Sequence, residues 1–301
     1  MLIGIEIGGT KLQLVRGDQT GTITERLKLT VNRVHGAEGI REQIKKALPK
    51  LMTGSSVSAL GVGFGGPVDW KMNRICRSHQ IEGWSEFDLG GWLQQISGVP
   101  ARVDNDANVA ALGEARRGAG QSLNPVFYIT LGSGVGGGLV VDGRIYHGAS
   151  PGEAEIGHVL LDREGTIVES RCSGWAIDAR IQDLKGTDPG SLLCQMPEFG
   201  KGGEAKHLST ALKQGDAAAK QILDELMQDL AFGLSHVVHL FHPEVIVLGG
   251  GLSGIGEALR LGLERALPAF VMEAFGSGPK IKLAGLGEDA VPVGALFLAG
   301  K

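Results

Sequence analysis

This chain of 301 residues has few cysteines, no excess of positive charge and no long apolar run. Cys76, Cys172 and Cys194 are odd in number and scattered, so no disulfide framework is expected. They read as reduced thiols of a cytoplasmic protein. Lys and Arg number 29 against 33 Asp and Glu, a net charge of −4. That balance gives no electrostatic footprint for nucleic acid. No stretch approaches the length of a membrane helix, so no membrane partner is expected. No charged segment followed by an apolar one opens the chain, which argues against a signal peptide. The apolar share of 43% suffices for a real core, and the length suits one large domain or two lobes.

Glycine is abundant, at 49 residues, about double the usual ~7% share. The glycines are clustered. Leu2 to Ile7 is apolar and β-branched and predicts a strand, followed by the turn Gly8-Gly9-Thr10-Lys11. Strands are predicted at Leu12 to Arg16 and Thr22 to Leu29, which makes a three-stranded meander. Backbone N–H groups of a glycine turn can face a phosphate, because glycine lets an anion approach. An ordinary hairpin turn and a surface lysine are the alternatives for Gly8 to Lys11.

A helix is predicted over Ala37 to Met52, with apolar residues at helical spacing. Val57 to Phe64 reads as a strand ending in Gly65-Gly66-Pro67. Trp84 suits plain packing and a sugar-facing wall equally well. An apolar piece, Val99 to Val103, then meets a helical run, Ala107 to Arg117. Asp104, Asn105, Asp106 and Asn108 crowd this junction. Helix capping explains one or two such residues, but hardly four. In the other reading, one carboxylate takes a proton from a hydroxyl that a neighbouring Asn holds.

The opening pattern returns at Val126. Val126 to Leu131 reads as a strand, Gly132-Ser133-Gly134-Val135-Gly136-Gly137-Gly138 as a turn, and Leu139 to Val141 and Arg144 to Tyr146 as strands. This is an internal duplication of architecture and suggests two similar lobes. Gly132-x-Gly134-x-x-Gly137 matches a dinucleotide fingerprint in letters, but a strand follows where that fingerprint needs a helix. A Walker A ending is absent. Glu155, His158 and Glu169 stand in a region of small residues. Asp216 precedes a long helix with a wide apolar face that ends at His242-Pro243. Val245 to Leu248 is a buried strand leading to Gly249-Gly250-Gly251, a geometry able to seat a base and ribose. Pro292 to Ala299 closes the chain as a short helix.

Taken in order, Ile5 to Lys11, Asn105-Asp106-Ala107-Asn108, Gly132 to Gly138, Glu155-x-Gly-His158 and Val245 to Ser253 resemble the ROK family of sugar kinases and repressors along the whole chain. The resemblance implies an α/β, two-lobed actin-like (ribonuclease-H-like) fold with a duplicated β-meander and a cleft between lobes. The lobes would be 1–117 and 118–289, with a C-terminal helix near 290–301 packing back on the first. It implies ATP-dependent phosphorylation of a hexose, glucose favoured, at the 6-hydroxyl, with Asp106 as general base. Gly66, Asn105, Asp106, Glu155, His158 and Glu169 would meet the sugar. Gly8, Gly9, Thr10, Lys11, Gly132, Ser133 and Gly134 would surround the phosphates, and Gly249, Gly250 and Gly251 would lie beside the adenosine. Mg²⁺ would come with ATP, and a homodimer is common in the family.

Three departures from the family pattern stand out. Glu6 replaces the usual Asp that helps position the metal. Gly65 stands where Pro is common. The cysteine zinc module between His158 and Glu169 is missing, so no structural zinc is expected, and Val159 to Val168 reads as a strand–turn–strand that could order the loop instead. The family's repressors carry a helix-turn-helix ahead of the kinase part, and none is expected here because the first phosphate strand begins at Leu2. The alternatives are a fructokinase, an N-acetylhexosamine or mannose kinase, a polyphosphate-dependent enzyme, and, from another class, a catalytically weak sugar-binding protein motivated by Glu6.

Overall fold

The computed structural model of the protein describes residues 1–300, apart from Ser55, 77–80, Pro151, Glu153 and Glu198. In chain order the first elements are β1 (Leu2–Ile7), β2 (Lys11–Gly17), β3 (Ile23–Thr30), α1 (Gly36–Met52), β4 (Ala59–Phe64), β5 (Val68–Asp69), β6 (Arg74–Ile75), α2 (Leu89–Ser97), β7 (Ala101–Asn105) and α3 (Asp106–Arg117). Then come β8 (Val126–Leu131), β9 (Val135–Val141), β10 (Arg144–Ile145), α4 (Val168–Cys172), α5 (Gly174–Thr187), α6 (Leu208–Lys213), α7 (Ala217–Phe241), β11 (Val245–Gly249), α8 (Glu257–Ala266), β12 (Lys280–Leu283) and α9 (Ala290–Ala299). They form two compact units. One holds Met1–Leu123, Gly138–Ala154 and Gly285–Lys301, the other Asn124–Gly137 and Glu155–Ala284.

The first unit is built on a mixed sheet of order β3-β2-β1-β4-β7. β1 runs antiparallel to β2 and parallel to β4, and β7 runs parallel to β4. Helix α1 covers the sheet with Ile40, Ile44, Leu48 and Leu51, all at most 2% exposed. Burying each such side chain stabilises the fold by roughly 1.5–3 kcal/mol. The opposite cover is α9, which crosses α3 at a distance only glycine permits. A Cβ on Gly294 would lie 1.8 Å from the Val109 carbonyl oxygen, and one on Gly61 2.0 Å from that of Ala295. Glu114, with no exposure, locks this arrangement. Its carboxylate accepts from the N–H groups of Ala119 (2.7 Å), Gly285 (3.0 Å) and Leu286 (2.8 Å).

In the second unit β8, β11 and β12 are parallel neighbours. Their run of β-branched and leucine residues is buried throughout β11, as expected of a parallel strand covered on both faces. Helix α7 has 25 residues and buries Leu226, Leu230 and Leu234. Asp216 caps it by accepting from the Ala219 N–H at 2.7 Å.

The repeat in the sequence is real at the level of elements. Each half begins strand, glycine turn, strand, turn, strand (β1–β3 and β8–β10), and each adds two further parallel strands, β4 and β7 or β11 and β12. One part of the expectation needs correction. The glycine run from 132 to 138 is not all turn, because β9 begins at Val135 and takes in Gly136, Gly137 and Gly138. The glycines serve close packing there: a Cβ on Gly138 would meet the Ala107 carbonyl oxygen at 2.8 Å. Helix α2 went unread in the sequence. Its repeated glycines, Gly90 and Gly91, obscured a helical pattern capped by Asp88. No helix among the described residues is long and apolar enough to cross a membrane.

Candidate active site

In the first unit the polar junction sits where β7 gives way to α3. Asn105 is extended (φ −62°, ψ 145°) and caps the helix, its Oδ1 accepting from Ala107 N at 2.9 Å and Asn108 N at 3.3 Å. Its Nδ2 donates to the Gly66 carbonyl at 3.2 Å. Capping therefore accounts for Asn105, and the loop Gly65-Gly66-Pro67 is tied to it. Asp106 opens α3 and is half-buried. A Cβ built on Gly65 would stand 3.4 Å from Asp106 Oδ2, 3.4 Å from the Ile7 carbonyl oxygen and 3.6 Å from Gly8 Cα. The carboxylate of Asp106 is thus brought beside the first glycine turn, which closes through a 2.9 Å bond from Gly8 N to the Lys11 carbonyl.

Glu6, at the end of β1, has its carboxylate held by the Gln13 side-chain amide and by Lys11 Nζ at 3.4 Å. Trp84 belongs to the core and is no sugar wall. It has no exposure and meets Phe64 and Phe87 edge-on at 5.4 and 5.5 Å between ring centres. Asp104 and Asn108 are buried as well, and Asn108 Nδ2 donates to Asp104 Oδ1 at 3.1 Å. The other oxygen of Asp104 lies 2.6 Å from Nε2 of His147, a residue that sequence reasoning missed because it follows a short strand with no pattern around it.

In the second unit the turn Gly132–Gly134 joins β8 to β9 and is pinned from three sides. Glu169 Oε2 accepts from Val135 N at 2.8 Å. Gly174, which starts α5, donates to the Gly132 carbonyl at 2.7 Å. Gly157 lies so close that a Cβ would meet the Val135 carbonyl oxygen at 2.2 Å. Gly132, Ser133, Gly134, Glu169 and the Glu155–His158 turn are therefore gathered around one point of this unit, with Glu155 and His158 exposed. The glycines after β11 join them. Gly250 has φ +79° and its Cβ would stand 2.5 Å from the backbone of Leu131, the residue before the turn. Both glycine turns lie at the carboxyl ends of parallel strands, where α/β sheets bind ligands.

The loop between His158 and Glu169 is ordered by its own backbone. Leu161 N donates to the Thr166 carbonyl at 2.7 Å and Val168 N to that of Val159 at 3.0 Å, around an antiparallel bridge of Leu160 and Ile167. Asp162 holds the tip, accepting from Glu164 N and Thr166 N, and bonding by Thr166 keeps its carboxyl below the usual range. Burial pushes the Cys172 thiol up to about 12, with Asp229 adding to the shift. Such a thiol supplies no thiolate at neutral pH. No cluster of three or more His, Cys, Asp and Glu able to hold a metal is found among the described residues.

The sequence pattern of the ROK family matches residues 2–301. A glucokinase of Halalkalibacterium halodurans is 32% identical over 311 aligned positions, which cover 98% of this chain and 94% of that protein. A glucokinase of Thermotoga maritima is 28% identical over 302 positions, 98% of this chain and 95% of that one. Among solved structures, a ROK family glucokinase from Streptomyces griseus in complex with glucose and AMPPNP superposes with a TM-score of 0.86 at 32% identity, covering 99% of both chains.

Proposed function

The chain belongs to the ROK family, and we propose that it transfers the γ-phosphoryl group of ATP to the 6-hydroxyl of glucose with Asp106 as general base. ATP-dependent hexose phosphorylation and the two-lobed actin-like kinase fold are common ground with its relatives. The residue roles and the choice of glucose are the proposal. The observation that carries it is the closeness of Asp106 to the first glycine turn: a carboxylate able to take a hydroxyl proton stands beside backbone N–H groups able to meet a phosphate.

Phosphoryl transfer needs little covalent help from the protein, so positioning and charge neutralisation dominate. Asp106 accepts the proton as the sugar oxygen attacks. Gly66, Asn105, Glu155, His158 and Glu169 hold the sugar; the remaining Nδ2 hydrogen of Asn105 is directed to a hydroxyl while its oxygen stays with the helix cap. Gly8 to Lys11 and Gly132 to Gly134 receive the phosphates, and Gly249 to Gly251 flank the adenosine. Mg²⁺ suits this site, because a single carboxylate beside a phosphate turn is the kind of donor set it accepts while keeping phosphate and water ligands. Glu6 would hold it, and the ion would neutralise charge on the transferring group. A homodimer in the cytoplasm is the proposed setting.

Replacing Asp106 with Asn keeps the size but removes the acceptor. Turnover in an ADP-release assay is expected to fall by ~10²–10⁴, the usual loss of a general base, with glucose affinity little changed. Wild-type turnover in that variant would refute the assignment. Absence of glucose-dependent ADP release by the wild type would favour a sugar-binding protein instead. A panel of hexoses with ATP and Mg²⁺ separates glucose from fructose, mannose and N-acetylhexosamines.

A further inference from the structure

Asp104 is a costly residue to place where it stands. It is 2% exposed, and a buried carboxylate destabilises a fold unless paired and hydrogen-bonded. One of its oxygens serves the junction that carries Asp106 and the other faces His147. Oδ1 accepts from the backbone N–H of Asn105 at 2.9 Å and from Asn108 Nδ2 at 3.1 Å. Oδ2 lies 2.6 Å from His147 Nε2. A carboxylate offers only lone pairs, so the contact is a hydrogen bond with Nε2 as its donor when that nitrogen carries the proton.

The imidazole is itself held. Its ring stacks on Trp70 at 4.1 Å between centres and 15° between planes, which fixes the direction of Nε2. Ser150, three residues on, donates to Asp69 at 3.2 Å, so the segment from His147 to Ser150 is fastened to the β5–β6 hairpin. The same hairpin's turn supplies Asn73, whose Oδ1 accepts from Val103 N at 2.9 Å. Other charges face the pair: Lys71 and Arg102 line the cavity of about 450 Å³ that Asp104 and His147 share, and Asp106 lies two residues along.

From this we propose that Asp104 and His147 are a positioning pair for the phosphoryl transfer. His147 holds Asp104, Asp104 holds the backbone of Asn105, and Asn105 caps the helix whose first residue is the base. The inference rests on the proposed role of Asp106. A displacement of about 1 Å at such a site can cost ~10²-fold in rate, so the pair acts on turnover while touching no substrate.

The test is His147→Phe, which keeps a ring on Trp70 and removes the donor. Turnover is expected to fall about 10- to 100-fold, with KM for glucose and ATP nearly unchanged, as for loss of an interaction made only in the transition state. Asp104→Ala should lose as much, and the double variant no more than either single one. Asp104→Asn should recover most of that loss, since its Oδ1 still accepts from Asn105 and its amide can donate to the other tautomer of His147. Hydrogen exchange reads the geometry without activity: the Asn105 amide should exchange at least about tenfold faster in His147→Phe. Full turnover in His147→Phe, a loss confined to KM, multiplying losses in the double variant, or unchanged exchange at Asn105 would each overturn the pair. A wild type that fails to phosphorylate hexose would overturn the reading of Asp106 instead, and the exchange result would still stand by itself.

Discussion

Glu114→Ala is the sharpest test of how the helix bearing Asp106 is held. The carboxylate has no exposure and accepts three backbone N–H groups, from Ala119, Gly285 and Leu286. Alanine leaves those donors buried without a partner, at ~1–3 kcal/mol each. Water entering the vacated space recovers part of that, so a total near 4 kcal/mol is expected, toward the lower half of the summed range. That is most of the stability of a protein at the lower end of the ~5–15 kcal/mol range. Urea unfolding followed by tryptophan fluorescence is the assay. Trp70, Trp84 and Trp92 lie in the same unit and report on it, Trp84 from full burial, whereas Trp175 in the other unit is 62% exposed and adds little. With a slope of ~2 kcal/mol/M the midpoint should drop by about 2 M. A drop under about 0.5 M would show that the three bonds are not what holds α3 to the start of the last helix. Glu114→Gln should keep roughly a third of this effect, because its carbonyl oxygen can replace Oε2 while its NH2 meets the Leu286 N–H donor to donor.

Asp216→Ala removes the cap of α7 and should cost about 1–2 kcal/mol at pH 7. Burial opposes ionisation of Asp216, but bonds from Ala219, Leu192 and Ser191 outweigh it and hold its carboxyl below the ordinary 3.8. A lowered folded pKa gives stability that is present above pH 4 and lost as pH falls further, so the gap between wild type and variant should shrink below about pH 4. A gap constant from pH 7 to pH 3 in thermal melts would contradict this. Gly134→Ala places a Cβ 2.5 Å from Glu169 Oε2 and should destabilise by about 1–3 kcal/mol. Its cost should largely vanish in a Glu169→Ala background, and equal costs in both backgrounds would remove Glu169 as the pin of that turn. Elemental analysis of protein purified without a metal-affinity tag should find no zinc; one equivalent per chain retained against a chelator would refute a loop ordered by backbone bonds alone.

The strands and long helices were legible because each carries its own period. α1 and α7 follow the predicted boundaries closely, since Ile40, Ile44 and Leu48, or Leu226, Leu230 and Leu234, lie on one face and are buried there. The glycine runs were legible as a class but not individually. Gly132 and Gly134 make a turn, whereas Gly138 lies in a strand pressed against α3, and nothing in the letters separates the two uses. The closeness of Gly250 to Leu131 was out of reach for the same reason, since it follows from the pairing of β11 with β8 across more than half of the second unit.

The polar junction shows where a sequence ceases to assign roles. Four residues of similar chemistry, Asp104, Asn105, Asp106 and Asn108, looked like one motif with a capping reading and a chemical reading in competition. The structure gives the capping reading to Asn105. Asn105 is the cap, Asp104 and Asn108 are buried supports, and Asp106 stands at the helix start beside Gly65. One oxygen of Asp104 meets His147, 43 residues away in the chain. The oxygens of Asp104 are committed to His147, Asn105 and Asn108, whereas the carboxylate of Asp106 lies beside Gly65 and the glycine turn. The difference in surroundings between the two aspartates thus includes a contact from a distant segment, and no periodicity or spacing near the junction records it.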